Sequence, residues 1–67
     1  MRVKVTTYKI KNDKQGYPRT TDEVKCVCEG NLLSIVGLAD RVVYVIADDR
    51  GNIKEESQCS WKTIALI

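Results

Sequence analysis

The residues best suited to chemistry lie near the N-terminus, where tyrosines alternate with basic residues. They are Tyr8, Lys9, Lys11, Lys14, Tyr17 and Arg19. Aromatic rings stack on nucleobases and cationic side chains hold phosphates, so this mixture is typical of surfaces that bind single-stranded nucleic acid. The same side chains could contact a protein partner, and lysines on a strand edge also prevent strand-to-strand aggregation. The pattern predicts a contact surface and leaves its ligand open.

The distribution of charge favours a protein partner over nucleic acid. Residues 1–19 contain six basic residues and one acidic residue, a net charge of +5, whereas the other five basic and eight acidic residues give −3. The isoelectric point is about 8.5. A dedicated nucleic-acid-binding domain typically has an isoelectric point above about 9. We therefore expect protein contacts first, with single-stranded nucleic-acid binding as the alternative.

Three cysteines are too few for the usual structural metal site. Cys26, Cys28 and Cys59 could supply three thiolates, but a closed zinc site takes four ligands and usually a C-x₂₋₄-C spacing. An odd number of cysteines also cannot pair completely within one chain. The sequence predicts free thiols, no metal and no cofactor.

Catalysis is not expected. The chain contains no histidine, which is the commonest general base and the usual activator of a serine or cysteine nucleophile. The adjacent carboxylates Asp48 and Asp49 precede Arg50 and Gly51 and are explained by turn formation. No phosphate-binding or metalloprotease motif occurs.

One segment, residues 41–53, dominates the prediction of secondary structure. Val42 to Ala47 is apolar on both faces of a strand, as expected of a central strand. The sequence from Asp48 to Gly51 predicts a type I turn with a glycine bulge that reverses the chain.

Further strands are predicted on either side of this segment. The first, residues 1–11, ends in a loop at residues 12–18 that contains Gly16 and Pro18, and a tight reversal at residues 29–31 separates the next two strands. Residues 52–67 form the last strand, with a bend at Ser57 and Gln58. The strands between the first loop and the central segment are residues 21–29 and 32–36.

Five short strands in 67 residues predict a single all-β domain, residues 1–67. We expect a meander that closes into a small SH3-like or OB-like barrel, or a partly open sheet. No segment has the periodicity of a long helix. A chain of this length buries only about 60% of the surface that its unfolded form exposes, so the core should be thin.

The C-terminal segment indicates self-association. Trp61, Ile64 and Leu66 belong to a stretch that stays apolar to the last residue, which either completes the sheet or is buried against another chain. No signal-peptide pattern follows Met1, and the longest apolar run is too short to cross a membrane. The sequence therefore predicts a cytoplasmic, non-enzymatic binding or inhibitory module that works through protein contacts as a homo-oligomer.

Overall fold

Five antiparallel strands form one sheet in the computed structural model, which describes residues 1–67. They are β1 (Arg2–Asn12), β2 (Pro18–Gly37), β3 (Val42–Ala47), β4 (Ile53–Glu56) and β5 (Lys62–Leu66). Their order across the sheet is β4-β3-β2-β1-β5, so β5 returns to lie beside β1. The predicted all-β class is confirmed. Of the predicted forms the partly open sheet is the one observed, because no ladder of hydrogen bonds joins β4 to β5.

The predicted reversal at residues 29–31 is wrong. The chain continues through it as the single strand β2, which pairs first with β1 and then, from Asn31 onward, with β3. Gly30 is buried at the point where the partner changes. A Cβ atom there would lie 2.6 Å from the carbonyl oxygen of Ala47 and 2.7 Å from Cγ2 of Ile46. The glycine therefore permits a close approach of two strands and does not form a turn.

The predicted last strand is instead two strands on opposite edges of the sheet. β4 pairs with β3 and β5 pairs with β1, and residues 57–61 connect them. The predicted bend at Ser57 and Gln58 is thus the start of a connection between the edges. Two of the predicted strands, residues 21–29 and 32–36, are both part of β2, and the predicted last strand is two strands. The number of strands is therefore five, as predicted.

β3 has a strand on each side, as its apolar sequence predicts, although β2 occupies the middle of the sheet. The turn after β3 also forms as predicted. A carboxylate oxygen of Asp48 accepts hydrogen bonds from the amides of Arg50 and Asn52, both at 2.9 Å. Gly51 has a φ of 85°, a conformation that glycine adopts without steric cost.

The core is as thin as the chain length suggests. Val3, Val5 and Ile46 form a buried cluster, against which partly buried side chains pack. Val43 is also buried, and the alternation of side chains along β3 places it on the other face of that strand. The partly buried side chains are those of Leu32, Tyr44 and Ile64.

An ion pair joins the two edges of the sheet. Lys62, the first residue of β5, donates a hydrogen bond of 2.6 Å to Glu56, the last residue of β4. Their side chains are only 25% and 21% exposed, so solvent screens the pair less than it screens a surface pair. The hydrogen bond to Glu56 raises the pKa of Lys62 above its ordinary value of 10.5. The stability that Lys62 gains is therefore present below pH 10.5 and is lost as the pH rises through the higher folded-state pKa.

We expect Glu56→Gln to lower the free energy of unfolding by about 1 to 2 kcal/mol, between the values for surface pairs and charged hydrogen bonds. Urea unfolding at neutral pH measures this loss. Glu55→Gln is the matched control, because Glu55 is the exposed neighbour on the same strand, and its effect should stay within about 0.5 kcal/mol. Equal losses of unfolding free energy in the two variants would show that the ion pair between β4 and β5 does not stabilise the fold.

Candidate functional site

A two-stranded hairpin extends from the sheet and carries the predicted contact residues. β5 pairs with β1 only as far as Thr7, and β3 pairs with β2 only from Asn31. Beyond Tyr8 the two long strands therefore have only each other as partners. The pairing is irregular between Thr7 and Tyr8, where the extra residue is Lys25 on β2.

The tip of the hairpin repeats the architecture of the turn after β3. Asp13 accepts hydrogen bonds from the amides of Gln15 at 2.9 Å and Tyr17 at 3.0 Å, and Gly16 has a φ of 85°. Both turns share the spacing D-x-x-G, a sequence signal that is present at residues 13–16 as well as at residues 48–51. The amide of Tyr17 and the guanidinium of Arg19 lower the pKa of Asp13.

The turn aspartates should make stability depend on pH. Hydrogen bonds from the amides of Asn52 and Arg50 lower the pKa of Asp48 below 3.8, so its stabilising contribution is present above that pH and is lost on acidification. We expect Asp48→Asn to melt at a lower temperature than the parent at pH 7, with little or no difference at pH 2. Thermal melts at the two pH values measure this, with Asp22→Asn as the control. A difference that persists at pH 2 would contradict a role for the carboxylate charge.

Carboxylates across the hairpin neutralise several of the predicted cations. Glu23 lies 3.5 Å from Lys9 and 3.1 Å from Lys11, and the hydrogen bond from Lys11 is the main reason that the pKa of Glu23 is lowered. Arg19 pairs with Asp13 at 3.2 Å. The positive charge of residues 1–19 is therefore partly offset by Glu23 of β2. Such exposed pairs contribute only about 0 to 1 kcal/mol each.

A groove of about 450 Å³ lies at the base of the hairpin. We call it the lysine groove, because half of its eight residues are lysines and none is acidic. The amide of Tyr8 donates a 2.8 Å hydrogen bond to the carbonyl of Trp61, which places the backbone of Trp61 beside β1. The residues that line it are Thr7, Tyr8, Lys9, Ile10, Lys11, Lys25, Trp61 and Lys62.

A second groove, of about 250 Å³, is lined only by apolar side chains, and we call it the apolar groove. Ile64 and Leu66 lie here, whereas Trp61, which was predicted to share an interface with them, lines the lysine groove. Met1, Ile35 and Leu66 are 76%, 57% and 66% exposed. The residues that line it are Met1, Val3, Leu32, Ile35, Tyr44, Ile64, Ala65 and Leu66.

The cysteines do not form a metal-binding cluster. All three are free and exposed, and nowhere do three or more cysteine, aspartate or glutamate side chains come together in a way that could hold a metal ion. Cys26 and Cys28 line a cleft of about 220 Å³ together with Glu56 and Lys62.

Comparison with known proteins adds no relative. No family model matches the chain, and neither the curated proteins nor the solved structures contain a significant match. The structure contains no helix with the length and hydropathy needed to span a lipid bilayer.

Proposed function

We propose that this chain is a non-enzymatic protein-binding module that assembles with further copies of itself through the apolar groove. The observation that carries the proposal is the amount of surface that a single copy leaves exposed. Each copy would keep its hairpin free for a second contact.

The exposed surface is larger than that of a typical monomer. Its area is 5138 Å², whereas a monomeric protein of 7.6 kDa is expected to expose about 4,300 Å². The excess of about 850 Å² is close to the roughly 800 Å² that each partner contributes to a standard protein interface. The radius of gyration, 13.5 Å, also exceeds the value of about 11 Å for a compact domain of this length.

Part of this excess belongs to the hairpin, but the exposed apolar surface at the other end of β1 supports an interface. The apolar groove contains Met1, and the hairpin turn begins after Asn12. Because a strand rises about 3.3 Å per residue, the two features lie at opposite ends of β1. Burying exposed side chains such as Leu66 and Ile35 would stabilise an assembly by about 25 cal/mol for each Å² of apolar surface removed from water.

A second copy suits this groove better than a charged partner. No charged side chain lines the groove, so two copies related by a twofold axis could place the same residues against each other without repulsion between charged side chains. Ile64 and Leu66 lie on β5, an edge strand, whose free backbone groups are available for pairing with another strand. Apolar contact and strand pairing can therefore act at the same place.

The native mass of the purified protein tests the proposal. Sedimentation equilibrium at micromolar concentration should give a mass of at least twice 7.6 kDa. A mass of 7.6 kDa that persists as the concentration is raised to the millimolar range would rule out self-assembly as the working state.

The free hairpin is the proposed surface for another protein. Its tip presents Lys14 and Tyr17, and the ring of Tyr17 is among the exposed hydrophobic groups, at 62%. The six residues predicted from sequence divide here into two groups. Tyr8, Lys9 and Lys11 lie at the lysine groove, whereas Lys14, Tyr17 and Arg19 lie toward the tip.

A further inference from the structure

The lysine groove combines cations and aromatic rings in one concave surface. Its two rings are the side chains of Tyr8 and Trp61, and its cations are those of Lys9, Lys11, Lys25 and Lys62. We propose that this groove binds single-stranded nucleic acid, with a base stacked on Trp61 and the adjacent phosphates held by Lys9, Lys11 and Lys25, while Lys62 keeps its ion pair with Glu56. This activity goes beyond the self-assembly proposed above and uses a different surface.

The charge of the groove suits a polyanion. Lys25 takes part in no ion pair, while Lys9 and Lys11 share the single carboxylate of Glu23. Glu23 is itself outside the groove lining. Surface ion pairs of this kind contribute little, so a phosphate can replace the carboxylate at low cost. Binding a phosphate with each lysine also releases counterions, which is the main source of affinity for nucleic acids.

The rings favour nucleic acid over an acidic peptide. An acidic peptide needs only the cations, whereas stacked bases need exposed aromatic faces. Trp61 is 44% exposed, and the hydrogen bond from Tyr8 to its backbone holds it beside β1. The groove, at about 450 Å³, also lies within the range of roughly 300 to 1,000 Å³ that is typical of ligand sites.

The proposed site differs from the one that sequence spacing suggested. Lys14, Tyr17 and Arg19 lie toward the hairpin tip and do not line the groove. Lys25 and Trp61 take their place, because β1 pairs with β2 on one side and with β5 on the other.

Trp61 is the only tryptophan in the chain, so its fluorescence reports directly on the groove. We expect titration with a short oligothymidylate at low salt to quench this emission, because a base that stacks on the indole quenches it. Poly-glutamate of similar length is the comparison probe. Absence of quenching by the oligonucleotide at low salt, or equal quenching and affinity with poly-glutamate, would overturn the proposal.

Salt dependence tests the role of the lysines. Anisotropy of a labelled oligothymidylate gives the affinity at several salt concentrations, and Lys25→Ala should reduce the slope of log affinity against log salt by about 0.7, the value for one phosphate contact on a single strand. Lys14→Ala is the matched control and should leave the slope unchanged. If both substitutions reduce the slope equally, binding is general to the basic surface and the groove is not the site.

Substitution of the ring tests the stacking. Trp61→Ala should weaken binding by about 5- to 150-fold, the range for loss of one stacked base, whereas Trp61→Phe should keep most of the affinity. Circular dichroism establishes that each variant retains the fold. Equal affinities of folded Trp61→Ala and the parent protein would contradict stacking on this residue.

Discussion

Replacement of Gly30 by alanine should lower the free energy of unfolding by about 3 kcal/mol or more, at the upper end of the range for overpacking. The new methyl group would lie 2.6 Å from the carbonyl oxygen of Ala47. This oxygen belongs to the backbone of β3 and cannot rotate away, so the strands themselves must move apart. For a domain with only four buried apolar side chains, we expect a substantial unfolded population.

Gly37→Ala is the matched control for this experiment. Gly37 is at the other end of the region in which β2 pairs with β3, and an added Cβ there would have no atom within 4 Å. Its φ is not positive, so alanine should change stability by no more than about 0.5 kcal/mol or raise it slightly. Urea unfolding compares the two variants. Similar losses in both would show that the intrinsic flexibility of glycine, and not the close approach of strands, explains Gly30.

The features that the sequence predicts correctly are those with a local cause. The strand from Val42 to Ala47 is recognisable because its β-branched residues leave no polar face, and the turn from Asp48 to Gly51 because its aspartate and glycine act within four residues. Gly30 shows where this reasoning fails. A glycine between two strand-like segments gives the same sequence pattern whether it forms a turn or allows a neighbouring strand to approach closely. At Gly30 the close neighbour is the carbonyl of Ala47, which is distant in sequence.

The lysine groove could be predicted only in part for the same reason. Tyr8, Lys9 and Lys11 follow one another along β1, so their spacing is visible in the sequence. Lys25 and Trp61 reach the groove through strand pairing, which links positions far apart in the chain. The pairing also brings acidic residues of β2 opposite the basic ones, so a count of charge along the first part of the chain overstates the positive charge of the folded hairpin.

Ile35→Glu should weaken the proposed self-assembly by at least about 100-fold in dissociation constant, because burial of an unpaired carboxylate in an apolar interface costs several kcal/mol and each 1.4 kcal/mol corresponds to about a tenfold change. Ile35 lines the apolar groove and is 57% exposed in the single copy. The substitution should therefore leave the fold intact. Sedimentation equilibrium over a range of concentrations measures the change.

Ile53→Glu separates the effect of the groove from the effect of added charge. Ile53 is 59% exposed, almost the same as Ile35, but it lies on β4 and outside the apolar groove. We expect the Ile53 variant to assemble like the parent protein. If it dissociates as readily as the Ile35 variant, the added negative charge alone explains the effect, whereas dissociation of the Ile53 variant alone would place the interface on β4. Loss of assembly confined to Ile35→Glu, with circular dichroism unchanged, would locate the contact between copies in the apolar groove.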